Sequence, residues 1–313
     1  MMNEIKINDR FVKIPNCMVQ TSEDESLVRK YKDMILLVWI CLKKRENRDI
    51  CYFSIANLVK GCGYSVKENG NSSSKMNGKI KKLLQQMIED KVIVSMSRTI
   101  DKNLELNNLI ECVLMETEKN FFILEDYQYD WIMEYKGKEK NINLLKLFCA
   151  IKSRISTRYK DEGIQDGYYE VSFPSYKKLV EDTGISESNI KRYLDILVNL
   201  NLIRYANAGT LYNPTTGEIK ECNNTYAIYK SGWEDELEGS IRLFKQKKKE
   251  EGWIFTKKKQ DKNTNSLRGK KGSLTKKINN KTVTEEEIEE YNQIKIELEK
   301  RRQNKSKQKA LSK

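Results

Sequence analysis

Ser175-Tyr176-Lys177-Lys178-Leu179-Val180-Glu181-Asp182-Thr183-Gly184-Ile185-Ser186 repeats, in phase, the earlier stretch Ser54-Ile55-Ala56-Asn57-Leu58-Val59-Lys60-Gly61-Cys62-Gly63-Tyr64-Ser65. Both read S-x-x-x-L-V-x-x-x-G-[YI]-S. The serine is placed to cap a short helix, the Leu-Val pair supplies its buried side, and the glycine ends it in a tight turn. The apolar residue after the glycine, Tyr64 or Ile185, is expected to plug the corner before a second helix.

That second helix also recurs. Ile80-Lys81-Lys82-Leu83-Leu84-Gln85-Gln86-Met87 matches Ile190-Lys191-Arg192-Tyr193-Leu194-Asp195-Ile196-Leu197, with apolar residues first, fifth and eighth and basic residues second and third. This is an amphipathic helix with one buried stripe. Cap to helix takes 26 residues in the first copy and 15 in the second, so the first carries an 11-residue insertion within Lys67–Asn77.

Around each helix-turn-helix the same order of elements is expected. In the second copy, Asn143–Ile155 reads as a helix, Tyr168–Ser172 as a strand, Leu202–Tyr205 as a strand, 206–224 as an Asn/Gly/Thr-rich wing, and Thr225–Tyr229 as the returning strand. In the first, Leu27–Lys43, Ile50–Phe53, Ser54–Lys60, Ser74–Asp90 and Val92–Met96 follow that order, with Leu109–Met115 or Phe121–Leu124 to return. The expected fold is α+β, mainly α: two tandem winged-helix domains, a disordered basic linker and a C-terminal helix. Boundaries fall at 1–125 and 141–240 for the two domains, 126–140 between them, 241–283 for the polybasic linker, 284–303 for the helix and 304–313 for a basic tail.

In such a fold the second helix of each pair presents the face opposite its core stripe to the DNA major groove. In the second copy this exposes Ser188, Arg192, Asp195 and Asn199, with Asn189 and Lys191 on the flanks and Ser186 at the helix start. In the first it exposes Lys75, Gly78, Lys82, Gln85 and Gln86, flanked by Lys79 and Lys81. An arginine such as Arg192 suits guanine, and Gln85 or Gln86 suits adenine. Lysines and serines more often hold phosphates. Asn207, Thr210, Tyr212 and Asn213 of the wing are placed to reach the backbone or minor groove.

The chain has 313 residues and a formal charge of +13. Of its 58 basic and 45 acidic residues, 23 and 10 lie in 241–313, so residues 1–240 hold 35 of each. A polyanion is the expected partner, with the excess charge in the last quarter. The seven cysteines are scattered and never form C-x-x-C, which argues against a disulfide framework or zinc site and for a reducing, cytoplasmic compartment. Cys41 and Cys149 read as small core hydrophobes. With no histidine, Ser-His, Cys-His and most zinc-hydrolase schemes are excluded. No phosphate-binding glycine loop occurs, so no cofactor and no enzymatic activity are expected. The longest apolar run, Met34–Leu42, falls short of the roughly 20 residues of a membrane span, and the first residues lack a signal pattern.

From Phe244 to Lys281 the chain is Lys-, Asn-, Ser- and Gly-rich, with too little apolar surface to predict a fold. Thr284 and Glu287 then form a capping box, and Ile288, Tyr291, Ile294 and Leu298 a narrow apolar stripe. A tethered helix with one apolar face suggests docking to a partner or to itself.

At the two repeats and at Phe11-Val12-Lys13-Ile14-Pro15, over roughly residues 10–230, the chain resembles tandem winged-helix replication initiators and replisome organisers of plasmids and phages in low-GC Gram-positive bacteria. The resemblance implies origin-repeat binding through both winged helices and recruitment of a helicase or helicase loader, a role suited to the C-terminal helix. The insertion before the first recognition helix departs from that pattern. A transcriptional regulator and a protein-interaction scaffold on the same fold are the alternative expectations.

Overall fold

The computed structural model describes residues 10–22, 24–32, 34–67, 75–101, 103–155, 168–256, 262–280 and 282–311, and of 256, 262–269 and 300–311 the backbone alone. Most of the 11-residue insertion lies outside the described residues. The chain is α+β and mainly helical, about 48% helix and 18% strand. It divides into two compact units, Met1–Phe255 and Thr256–Lys313.

The first unit runs β1 (Phe11–Pro15), α1 (Leu27–Lys30), α2 (Met34–Lys43), β2 (Glu46–Asn47), β3 (Ile50–Phe53), α3 (Ile55–Gly61), α4 (Met76–Glu89), β4 (Ile93–Met96), β5 (Ile110–Leu114), β6 (Phe121–Glu125) and α5 (Asp126–Met133). It continues with α6 (Asn141–Lys152), β7 (Val171–Ser172), α7 (Tyr176–Thr183), α8 (Glu187–Asn199), β8 (Ile203–Asn207), β9 (Thr210–Tyr212), β10 (Ile219–Glu221), β11 (Asn224–Ile228), α9 (Trp233–Glu250) and β12 (Ile254–Thr256).

The duplication extends from sequence to topology. In the first copy β5 lies between β3 and β4; in the second, β11 lies between β7 and β8. Strand, two helices, strand and a strand returning between the first two is thus built twice, with every pairing antiparallel. Both caps form: Ser54 Oγ accepts from the Asn57 N–H (3.2 Å) and Ser175 Oγ from the Lys178 N–H (3.1 Å). Gly184 ends α7 with φ +69°, a conformation that costs a residue with a Cβ dearly. Leu109–Met115 contains the return strand of the first copy; Phe121–Glu125 pairs instead with Phe11–Pro15 in a separate two-stranded sheet.

Helices α2 and α6 explain why the copies are joined. α2 is buried from Ile35 to Leu42 and α6 from Leu144 to Ile151, on every face. A helix apolar all round must be covered all round, and here one core runs from Val12 to Tyr226 through both copies. The expected linker 126–140 therefore carries a helix, α5, whose Gln128 and Ile132 are fully buried. Its capping residue Glu125 pairs with Lys152 at the end of α6, and Gln128 Oε1 accepts from Lys152 Nζ at 2.6 Å.

Asp182, in the second repeat, fastens the copies together. Its side chain is fully buried; Oδ1 accepts from the Thr21 N–H (2.9 Å), and Arg154 Nη2 lies 2.5 Å from Oδ2. Its main-chain carbonyl accepts from Ser26 Oγ (2.7 Å), and Lys178 Nζ donates to the Thr21 carbonyl (2.8 Å). Burial pushes the Asp182 carboxyl above the usual carboxylate range, against the pull of the Thr21 N–H, Arg154 and Lys178.

Three expectations are corrected here. Tyr64 does not plug the first corner: it is 39% exposed, and Cys62 is the buried residue at that turn, whereas Ile185 is buried as expected. The helix expected over Leu27–Lys43 breaks into α1 and α2, with Lys32 at φ 59° between them. The stretch expected as linker from residue 241 begins inside α9, which packs on the β7–β11–β8 sheet through Leu237, with the Glu236 carboxylate accepting from the Glu170 N–H (2.8 Å). Glu234, Asp235 and Glu236 at its start and Lys247, Lys248 and Lys249 at its end compensate the helix dipole, and Phe244 packs edge-on to Phe255 (6.1 Å). Local charge order, not apolar content, carries the helix through that polybasic run. Cys41, Cys51, Cys62, Cys112 and Cys149 are all buried.

The second unit is a pair of helices, α10 (Lys262–Asn279) and α11 (Glu285–Leu311). The capping box forms: Glu287 N–H donates to Thr284 Oγ1 and Thr284 N–H to Glu287 Oε2, both at 3.3 Å. Leu274 and Ile294 are buried, Lys271 lies 5.7 Å from the Tyr291 ring, and Lys270 and Lys277 pair with Glu290 and Glu287. The apolar stripe of α11 thus packs on α10, where the polybasic linker was expected.

Candidate nucleic-acid interface

Helix α4 follows directly from its spacing. At 100° per residue Lys75, Lys79, Lys82 and Gln86 lie within about 60° of one another, on the side opposite Ile80, Leu84 and Met87, which are buried in the core. Lys79 and Lys82 are exposed, and among the described residues no carboxylate pairs with either. Lys75 caps the helix start and is half-buried. Lys79 and Lys82 thus offer positive charge with no counter-ion among the described residues.

Lys81 is a correction. Only 7% exposed, it donates through Nζ to the Leu104 (2.6 Å) and Asp101 (3.1 Å) carbonyls. Burial lowers its pKa, partly offset by the Asp101 carboxylate. Gln85, one turn on, donates to the Ile100 carbonyl at 2.5 Å. Both are taken up in holding the segment between β4 and β5, whose Ile100 and Leu104 sink into the core. Helical periodicity assigns a direction to each side chain; it carries no information about a long loop folding back over that flank.

On α8, Ser188, Arg192, Asp195 and Asn199 are all exposed and Ile190, Leu194 and Leu197 buried, as the spacing requires. The charges differ from those of α4. Lys191 pairs with Asp195, which also accepts from the Tyr205 hydroxyl (3.2 Å), and these contacts raise the Lys191 pKa. Arg192 is clasped by Glu139: Nε lies 3.1 Å from Oε1 and Nη2 donates to Oε2 at 3.1 Å. Nη2 also donates to Asn189 Oδ1 (2.9 Å), whose Nδ2 donates to Ser186 Oγ (2.8 Å). Ser186 Oγ lies 3.4 Å from Ser188 Oγ, so the exposed start of α8 is a connected polar chain.

The stretch expected as a wing, 206–224, contains a hairpin. β9 pairs with β10, and β12 lies on the other side of β9. Thr210 is accordingly buried, its position in a central strand withdrawing it from the surface. Asn207 and Asn213 are spent on turns: Asn207 Oδ1 accepts from the Gly209 N–H (2.8 Å) and its Nδ2 donates to the Cys222 carbonyl (2.7 Å), while Asn213 Oδ1 accepts from Thr215 (2.9 Å) and Thr216 (3.2 Å). Asn and Asp do this in any tight turn.

Two groups escaped the sequence reading. Glu139, 53 residues before Arg192, has no local signal that could have found it. Lys220 and Lys245 lie over the rings of Trp253 (5.2 Å) and Phe255 (5.7 Å), and the aromatics interleaved with lysines at 245–259 were the available signal. Among the described residues no three metal-ligating side chains cluster, and no helix is long and apolar enough to cross a membrane. No protein-family model matches the chain, and no curated protein matches it in sequence.

Proposed function

We propose that this chain is a sequence-selective double-stranded DNA-binding protein in which each copy of the repeat is a winged helix, and that it acts as a plasmid or phage replication initiator. The observation that carries the DNA reading is the pair of outward helix faces on one topology built twice. α4 supplies Lys75, Lys79 and Lys82 for phosphates, with Gln86 toward the bases. α8 supplies Ser188, Asn189 and Arg192 for base edges, its cations partly neutralised so that indiscriminate phosphate attraction is low. The initiator reading rests on the resemblance alone, and a helicase or loader is the partner it implies.

Footprinting of the full chain on the DNA flanking its coding sequence tests both levels. Direct repeats beside an AT-rich tract are expected for an initiator; a lone inverted repeat over a promoter points to a transcriptional regulator. Lys82→Ala is expected to weaken all sequences alike and flatten the salt dependence by about one unit of slope. Sequence-independent protection at every salt concentration defeats the reading.

A further inference from the structure

We propose that Glu139 is a positioning residue that sets the guanidinium of Arg192 to read a guanine; the proposal rests on the DNA-binding reading above. A guanidinium has two edges on which paired donors face outward, Nε with Nη2 and Nη2 with Nη1. Glu139 takes the first from the side, at 3.1 Å to each nitrogen. The second edge is left to the outside: Nη1 has no partner among the described residues, and the remaining Nη2 hydrogen goes to Asn189 Oδ1. That edge matches the O6 and N7 acceptors of guanine in the major groove. On binding, Nη1 donates to one acceptor and Nη2 exchanges Asn189 for the other.

The carboxylate sits on an anchored segment. Its side chain is 16% exposed, against 56% for Arg192. The segment that carries it is closed by Asn141 Nδ2 donating to the Met133 carbonyl (2.7 Å), and α6 is tied to α8 by Asn143 Nδ2 donating to the Tyr193 hydroxyl (3.2 Å). A long, rotamer-rich arginine on an exposed helix face is thereby given one orientation before DNA arrives. Ordering it beforehand spends the entropy that binding otherwise charges to the specific complex. Lys191, on the same helix and clasped by Asp195 with the Tyr205 ring of β8 beside it, has no planar fork to orient and reads nothing by this device.

The test is selection of duplexes from a randomised pool by the full-length protein, repeated with Glu139→Gln, Glu139→Asp and Arg192→Gln, with thermal midpoints showing that each variant folds. The wild type is expected to enrich a guanine at one position, and Arg192→Gln to lose it. Glu139→Gln is expected to weaken that position by about fivefold or more while leaving the others. Glu139→Asp keeps the charge but withdraws the carboxylate by one methylene, and is expected to weaken the same position. An unchanged guanine preference in both Glu139 variants overturns the proposal. So does a uniform gain in affinity across all sequences, because that result means Glu139 only repels phosphate. A wild type that enriches no sequence defeats the DNA-reading proposal itself, and this one with it.

Discussion

Replacing Asp182 by alanine tests whether the two copies are fastened where the contacts indicate. The substitution removes the acceptor of the part-buried Thr21 N–H and the counter-ion of Arg154, whose side chain is 17% exposed. An orphaned buried donor costs about 1–3 kcal/mol, and breaking a buried pair from one side about 3–5 kcal/mol. Because Arg154 keeps some solvent and its bond to the Ala150 carbonyl (2.6 Å), the lower figure is expected from the pair, and about 4–6 kcal/mol overall. Over the 255 residues of the first unit, at about 2.1 cal/mol/K per residue, that lowers the thermal midpoint by about 7–11 °C. Asp182→Asn keeps an acceptor for Thr21 and is expected to be milder by about 1–3 kcal/mol. Calorimetry or denaturant unfolding of both variants decides the matter. Equal losses for Ala and Asn, or a loss below about 1 kcal/mol for Ala, refute the assignment of Asp182 as the fastening group.

The same residue carries a pH signature. Its native pKa is raised, so its contribution to stability is full below the ordinary carboxylate value and is lost as pH rises through the native one; Asp182→Asn is expected to flatten that part of the stability profile. Lys81→Ala is expected to loosen Ile100, Asp101 and residues 103–106 in hydrogen exchange and, under the DNA-binding reading, to leave the salt dependence of binding unaltered, since its Nζ is spent on two carbonyls; Lys82→Ala is expected to do the reverse. Gly184→Ala strains a residue at φ +69° and sets a Cβ 2.8 Å from Arg29 Nη1, and is expected to cost about 1 kcal/mol or more in urea unfolding.

What the sequence made legible was whatever repeats or alternates locally. The two serine caps, the Gly184 turn, the buried stripes Ile80–Leu84–Met87 and Ile190–Leu194–Leu197, and the Thr284–Glu287 box are each set by residues within one or two turns, and each is found in place. Long-range contacts left no such trace. Nothing near Lys81 announces that Ile100 and Leu104 will return to cover it, and nothing near Arg192 announces Glu139. Tyr64 and Ile185 occupy the same place in the repeat, yet one is 39% exposed and the other 4%. Equivalent positions in a duplicated motif diverge once each packs against different neighbours. Thr210, Asn207 and Asn213 show a related ambiguity, because turn-forming residues and phosphate-binding residues are drawn from the same small polar set.

The single core that runs through both copies has a consequence for how the molecule engages a long ligand. Two heads on a tether can search for their sites one after the other, and the tether absorbs any mismatch in spacing. Heads cast on one solid body cannot. On a duplex that turns once in about 10–10.5 base pairs, moving one half-site by half a turn carries it to the far face of the double helix. Under the DNA-binding reading, the protein is therefore a fixed-gauge caliper. Inserting about 5 base pairs between its two half-sites is expected to reduce binding to that of one head, and a deformable spacer is expected to restore part of the loss by letting the DNA, rather than the protein, twist into register.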